Sequence, residues 1–168
     1  MPLKRLSAHL GGIDIWIKRE DLTPVAGGGN KLRKLEYLAA DAIAKRCDTL
    51  VTIGAVQSNH IRQTLGVAAS LGMHGSAVAV EEVPGTATDG AGNVQLDRLL
   101  GGKLVYQSSN ISYGELLSQE VDRQRQQGQS PYPIPAGGSN ALGCLGSVDL
   151  AAETSRQLAD ADIKDATL

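Results

Sequence analysis

A lysine that directly follows a run of glycines is the first candidate for chemistry in this sequence. Residues 27–31 read Gly-Gly-Gly-Asn-Lys, and Lys31 begins a segment with helical periodicity. A primary amine is a nucleophile only when unprotonated, and both burial and the positive end of a helix dipole disfavour the ammonium form. Such a lysine suits Schiff-base chemistry. The alternative is an ordinary glycine loop followed by a solvated charge in the first helical turn.

Three consecutive polar residues form the second candidate. Gln57, Ser58 and Asn59 follow an apolar, strand-like run at 49–53 and precede an amphipathic helix. In an open α/β sheet, ligands bind at the carboxyl ends of strands and at the N-termini of the following helices, which is where these residues fall. Ser and Asn are also good helix N-caps, so a structural role explains one of the three but not all of them.

Alternating strand and helix patterns indicate the elements that position these candidates. Hydrophobic periodicity predicts strands at 13–18, 49–53, 75–80, 103–107 and 132–134, and helices at 31–46, 60–71, 91–100, 112–127 and 141–158. This order implies an α/β fold with parallel strands and helices on both faces of the sheet. Trp16 lies within the first apolar pattern and is expected in the core, and His60 is expected to pack.

Composition argues against several other classes of function. The formal net charge is −2 without a basic patch, which disfavours nucleic-acid binding. No apolar run reaches the ~18 residues that span a membrane, and residues 1–12 lack the apolar core of a signal peptide, so a cytoplasmic protein is expected. Cys47 and Cys144 are far apart, so neither a disulfide framework nor a metal site is predicted.

Three ordered motifs carry a resemblance to a known family. They are Gly-Gly-Asn-Lys at 28–31 with Arg-Lys-Leu-Glu at 33–36, Val-Gln-Ser-Asn-His at 56–60, and Pro-Ala-Gly-Gly-Ser-Asn-Ala-Leu-Gly at 135–143. Together they resemble the fold-type II pyridoxal-phosphate enzymes, in particular the group of D-cysteine desulfhydrase and 1-aminocyclopropane-1-carboxylate deaminase. Residues 63–64 and the third motif are more similar to the desulfhydrase branch, although L-cysteate sulfo-lyases are also similar in these stretches.

The resemblance implies a role for each candidate residue. Lys31 would hold pyridoxal 5′-phosphate as a Schiff base and would later act as a general base. Asn30 would cap the helix that begins at Lys31 and would contact the cofactor phosphate. Asn59 would form a hydrogen bond with the 3′ oxygen of the cofactor. Ser58 would contact the substrate carboxylate and share in proton transfer, with Gln57 nearby, so that Gln57, Ser58 and Asn59 form the predicted substrate site.

The resemblance also implies how the chain is organised. Residues 1–46 would begin a large cofactor domain, 47–136 would form a small domain inserted in it, and 137–168 would return to the large domain. Relatives in the group are much longer. The resemblance therefore implies that a second glycine-rich phosphate loop and the segment that contacts the pyridine nitrogen lie beyond Leu168. The full-length form is expected to be a homodimer.

The predicted reaction is α,β-elimination on a small amino acid, D-cysteine giving pyruvate, sulfide and ammonia. Deamination of 1-aminocyclopropane-1-carboxylate and elimination from L-cysteate remain alternatives within the group. An alternative of another class is a truncated fragment without turnover. A nicotinamide-binding Rossmann module is disfavoured, because no Gly-x-Gly-x-x-Gly follows the first strand pattern with an acidic residue about 20 positions later.

Overall fold

Four parallel strands form one sheet in the order β3-β2-β1-β4. This computed structural model describes residues 1–83, 85, 91–108, 111–163 and 166–167. The strands are β1 (Thr49–Ala55), β2 (His74–Glu81), β3 (Lys103–Ser108) and β4 (Pro131–Ile134). The helices are α1 (Lys4–His9), α2 (Lys31–Ala44), α3 (Asn59–Ser70), α4 (Gly92–Leu99), α5 (Tyr113–Gln126) and α6 (Ala141–Asp160), with 3-10 turns at Glu20–Leu22 and Ala136–Gly138.

Successive residues of β2 face opposite helical layers, as the period of two in a strand requires. Ala79 packs with Ile61 and Leu65 of α3 on one face. Val80 packs with Leu116 of α5 on the other face. Because helices cover both faces, the central strands β1 and β2 are buried on both sides over most of their length, which is typical of parallel sheets. The prediction of a parallel α/β sheet with helices on both faces is confirmed.

Most predicted elements are present, but the first predicted strand is wrong. Residues 13–18 form an isolated antiparallel bridge between Pro2 and Trp16, and they do not enter the sheet. Trp16 is 48% exposed, so its predicted place in the core is also wrong. The apolar alternation correctly indicated extended backbone. It could not indicate that this backbone has only the short segment at 1–3 beside it.

Charged side chains connect the segments that flank the sheet in sequence. The Arg33 guanidinium of α2 lies 2.9 Å from a Glu20 carboxylate oxygen and 2.6 Å from a Glu153 carboxylate oxygen of α6. The pKa of Glu153 falls to about 2, chiefly because Arg33 and then Lys18 donate hydrogen bonds to its carboxylate. Among the described residues, the strands of the sheet all lie between positions 49 and 134. The division into a large and a small domain remains a prediction.

A buried aspartate lies on the inner side of α4. The side chain of Asp97 is inaccessible to solvent, and neither of its oxygens accepts a hydrogen bond from a described residue. Burial raises the pKa of Asp97 to about 7, against the opposing charge of Arg62 on α3. Because the folded pKa exceeds the unfolded one, the stability that Asp97 contributes at acidic pH is lost as the pH rises through about 7.

We expect Asp97→Asn to remove this pH dependence. Relative to the native chain, the variant should gain on the order of 3 kcal/mol of unfolding free energy between about pH 4 and about pH 8. Urea unfolding across that range measures the difference. Asp122→Asn, at an exposed position of α5, is the control for loss of a helical carboxylate. A pH-independent difference for Asp97→Asn would show that burial does not perturb its ionisation.

Candidate active site

The glycine run before α2 approaches its neighbours more closely than a side chain would permit. Gly28 has a φ of +72°, and a Cβ at this position would lie 2.3 Å from the carbonyl oxygen of Asp21. The carbonyl oxygen of Gly28 accepts a hydrogen bond from Nη2 of the buried Arg62 at 3.4 Å. The loop is therefore held between the 3-10 turn at Glu20–Leu22 and helix α3.

Lys31 is the first residue of α2, as predicted. Its Nζ donates a hydrogen bond to Oδ1 of Asn30 at 3.3 Å. Asn30 occupies the N-cap position, but its side chain accepts no hydrogen bond from the helix backbone. Oε1 of the buried Gln63 accepts the backbone N–H of Leu32 at 3.1 Å instead. A side chain of α3 thus satisfies one of the free donors at the start of α2.

Ser58 is the N-cap of α3. Its Oγ accepts the backbone N–H groups of His60 at 3.1 Å and Ile61 at 3.4 Å. This is the structural role that the sequence left open for one of the three polar residues. Contact between Ser58 and a substrate carboxylate remains a prediction.

The side chain of Gln57 is directed to the start of α4. Its Oε1 accepts the backbone N–H of Asn93 at 2.8 Å, and its Nε2 donates to the carbonyl oxygen of Ala91 at 3.3 Å. Both ends of this amide are engaged with the segment that begins α4. A direct contact between Gln57 and substrate remains a prediction.

Asn59 uses only one end of its amide. Its Oδ1 accepts hydrogen bonds from Nδ2 of Asn93 at 2.9 Å and from Nη2 of Arg62 at 3.4 Å. Within the described ranges, no residue accepts a hydrogen bond from its Nδ2. The side chain is exposed, so this donor is available to a ligand.

His60 is buried behind the polar residues, and the prediction that it packs is confirmed. Its Nε2 lies 2.8 Å from Oγ1 of Thr52, and that hydroxyl donates to the carbonyl oxygen of Ile134 at 3.0 Å. The hydroxyl hydrogen is therefore committed, and Nε2 must carry the imidazole hydrogen. Burial, and then the positive charge of Lys31, lower the pKa of His60 to about 4. The ring is neutral at neutral pH.

The third motif also lies beside the first turn of α2. Nζ of Lys34 donates to Oγ of Ser139 at 2.9 Å. Gly137 has a φ of +66°, and a Cβ there would lie 4.0 Å from Cε of Lys31. The structure therefore brings the loop at 136–139 to the lysine that the sequence singled out.

Three positioning side chains were not predicted as part of the site. Arg62 and Gln63 are 9% and 1% exposed, although both are strongly polar. The available sequence signal was the position of two polar residues within an otherwise apolar helix pattern. Polar groups buried at such positions need specific hydrogen-bond partners. Asn93 follows a glycine near the start of α4, and its contacts with 57–59 span more than 30 residues, which no local pattern records.

The donors at this site fit a cofactor that carries an aldehyde and a phenolic oxygen. Lys31 supplies the amine for the aldehyde, and Asn59 supplies an uncommitted amide donor for the oxygen. The N-termini of α2 and α3 are suited to anionic groups, and Gly137 leaves space beside Lys31. No cluster of three or more metal-ligating side chains occurs in the described part of the chain.

Known proteins are similar to this chain over nearly its full length. The family model for pyridoxal-phosphate dependent enzymes matches residues 1–166. The D-cysteine desulfhydrase of Klebsiella pneumoniae subsp. pneumoniae is 50% identical over 163 residues, which cover 95% of this chain and 49% of the relative. The enzyme of the same name from Yersinia enterocolitica is 49% identical over 161 residues, which cover 94% and 48%. The chain spans about half the length of the curated relatives it matches.

Solved structures have the same fold. A crystal structure of a homologue of 1-aminocyclopropane-1-carboxylate (ACC) deaminase aligns with a TM-score of 0.80 and 36% identity, covering 94% of this chain and 47% of that chain. Diaminopropionate ammonia lyase of Escherichia coli, in its apo form, aligns with a TM-score of 0.68 at 17% identity, which shows the fold alone. The predicted fold-type II resemblance is confirmed. By the match over residues 1–166, the chain belongs to the family of pyridoxal-phosphate dependent enzymes.

Proposed function

We propose that this chain supplies the cofactor-attachment half of a lyase that eliminates sulfide from D-cysteine. The observation that carries the proposal is the convergence of three loops on Lys31. The glycine run precedes it, Gly137 of the loop at 136–139 lies beside its side chain, and the next residue of that loop, Gly138, lies beside His60. The relatives at 50% identity, named D-cysteine desulfhydrase, favour D-cysteine over other small amino acids.

Pyridoxal phosphate, when bound, supplies an electron sink for the bond that breaks at the substrate Cα. Lys31 would hold the cofactor through Nζ, and the same amine, once free, would accept the Cα proton of the substrate. Cleavage of the Cβ–S bond releases sulfide. Addition of water and loss of the amine as ammonia leave pyruvate, so D-cysteine and water give pyruvate, hydrogen sulfide and ammonia.

The other site residues would bind and orient anionic groups. Ser58 lies at the N-terminus of α3, where its hydroxyl and the helix dipole suit a substrate carboxylate. Asn30 lies at the corresponding place on α2, which supports the proposed phosphate contact. Because His60 is neutral, it adds no cation that would compete with Lys31 for these groups.

Two other substrates remain candidates for the same site. The structural neighbour described as an ACC deaminase homologue supports 1-aminocyclopropane-1-carboxylate as a second candidate. L-cysteate, the third, rests only on similarity at residues 63–64 and in the third motif. A homodimer of the longer form and a cytoplasmic location likewise rest on the resemblance. In the described ranges, no helix combines the length and apolarity needed to cross a bilayer.

Lys31 is expected to form the Schiff base. Borohydride reduction of the chain mixed with pyridoxal phosphate, followed by peptide mass mapping, should place the pyridoxyl group on Lys31. Lys34 is the matched control, because it lies on the same helix but donates to Ser139. Lys31→Ala should abolish the specific adduct and Lys34→Ala should retain it. A label on Lys34 or Lys18 would contradict the assignment.

Exposed apolar side chains suggest that the 168-residue polypeptide does not act alone. Ile43 and Leu71, which line one groove beside α2, are 54% and 44% exposed. A second groove, lined by Trp16, Ile17 and Leu158, lies beside α6. Contiguous apolar surface of this kind commonly drives association. The relatives contain about as many further residues as the matched segment.

We therefore expect the 168-residue polypeptide on its own to bind cofactor weakly, to self-associate and to release little sulfide from D-cysteine. A chimera that continues from residue 168 with the remaining half of the Klebsiella relative should be monodisperse and active. Size-exclusion chromatography and a sulfide assay compare the two. Comparable turnover by a monodisperse 168-residue chain would contradict this expectation.

Ser58→Ala should impair turnover of the chimera more than its stability. Loss of the cap costs about 1 kcal/mol, whereas loss of a hydrogen bond to a charged carboxylate lowers kcat/KM on the order of 10–100-fold. Ser112→Ala is the matched control, since Ser112 caps α5 through the N–H of Glu115. It should lose similar stability at unchanged kcat/KM. If both variants keep full turnover, Ser58 is a cap only.

A further inference from the structure

Backbone groups fix the orientation of two side-chain amides at the start of α4. The carbonyl oxygen of Gln57 can only accept, so the end of the Asn93 amide that lies 2.8 Å away must be Nδ2. The backbone N–H of Asn93 can only donate, so the end of the Gln57 amide at 2.8 Å must be Oε1. Neither amide can flip without losing a hydrogen bond to the backbone.

This orientation decides which way Asn59 faces. Nδ2 of Asn93 presents its second hydrogen to the Asn59 amide at 2.9 Å, and Nη2 of Arg62, which can only donate, reaches the same atom at 3.4 Å. That atom must be Oδ1. The Nδ2 group of Asn59 is therefore turned away from both donors, and no described residue accepts from it.

We propose that Asn93 is a positioning residue, which holds the Asn59 amide so that its Nδ2–H group faces the 3′ oxygen of the bound cofactor. The inference rests on the proposed function for the identity of the ligand. It assigns Asn93 a role through Asn59 and no contact with the cofactor. Arg62 supports the same oxygen, but it also holds Gly28, so its replacement would disturb the glycine loop.

The hydrogen bond from Asn93 matters because the terminal torsion of an asparagine is broad and roughly two-fold, so an unrestrained amide can exchange the positions of its oxygen and nitrogen. Without a partner for Oδ1, the exposed amide of Asn59 could present its oxygen to the ligand, and two oxygens would repel each other. A donor on the 3′ oxygen draws electron density from it. The 3′ oxygen then shares the proton of the Schiff-base nitrogen less strongly, and the pKa of that imine is lowered.

The first test needs no cofactor. A double-mutant cycle with Asn93→Ala, Asn59→Ala and the double variant measures their coupling in urea unfolding of the 168-residue chain. We expect the unfolding equilibrium constants to be non-additive by about five-fold, the size of one hydrogen bond. Additive effects would overturn the proposal that Asn93 holds Asn59.

The second test uses the chimera with the Klebsiella relative and follows the visible absorbance of its imine against pH, with excess pyridoxal phosphate and the spectrum of its Lys31→Ala variant subtracted. Asn59→Ala should raise the pKa of the imine, and Asn93→Ala should raise it on the order of half a pH unit. In the Asn59→Ala background, Asn93→Ala should cause no further shift. Equal shifts in both backgrounds, or none in the native background, would overturn the proposal.

A control variant separates positioning from helix stability. Gln95→Gly weakens α4 at an exposed position and leaves Asn93 in place. It should lower stability without moving the pKa of the imine, and an equal shift would assign the Asn93→Ala effect to a loosened helix. Absence of any Lys31-dependent imine would instead contradict the proposed function, while the double-mutant cycle would still decide whether Asn93 holds Asn59.

Discussion

The buried hydrogen bond from the backbone N–H of Leu32 to Gln63 joins the N-terminus of α2 to α3, the two helices on which the site depends. It fixes the first turn of α2, and with it Lys31, to the middle of α3. The neighbouring Arg62 extends the connection to the glycine loop and to Asn59. An amine on one helix and an amide on another can share a ligand only if their helices keep a fixed relation. Two adjacent polar residues of α3 maintain it.

Periodicity predicted nearly all the regular structure, because α2, α4 and α5 each bury one side and the central strands are short apolar runs. The failure at 13–18 is informative, since extended apolar residues form a strand only when another strand lies beside them. Helix α3 shows a second case in which periodicity is not informative. Residues 60–68 are buried on every side of the helix, so no polar face marks where Arg62 and Gln63 point. Their partners lie about 30 residues earlier, and only the folded chain reveals them.

The position of the candidate site was predictable for a different reason. Lys31 follows glycines, and residues 57–59 follow a strand, so local geometry alone places both at helix N-termini. The hydrogen-bonding role of each residue at these helix starts was not predictable. Asn30 stands at an N-cap position without capping, and Gln63 makes that hydrogen bond from another helix. A propensity specifies which residue suits a position, whereas a buried N–H donates to whichever oxygen the tertiary structure brings within reach.

The hydrogen bonds of Gln57, Ser58 and Asn59 differ, although the sequence alone does not distinguish their roles. Gln57 uses both ends of its amide on the segment that begins α4. Ser58 accepts two backbone hydrogen bonds but donates its own hydrogen to no described residue, and Asn59 likewise accepts two and keeps its donor. The uncommitted hydrogens, one on Ser58 and two on Asn59, belong to neighbouring residues at the positive end of α3. Donors without acceptors at such a place favour a ligand with negatively charged oxygens, which both the cofactor and an amino-acid carboxylate possess.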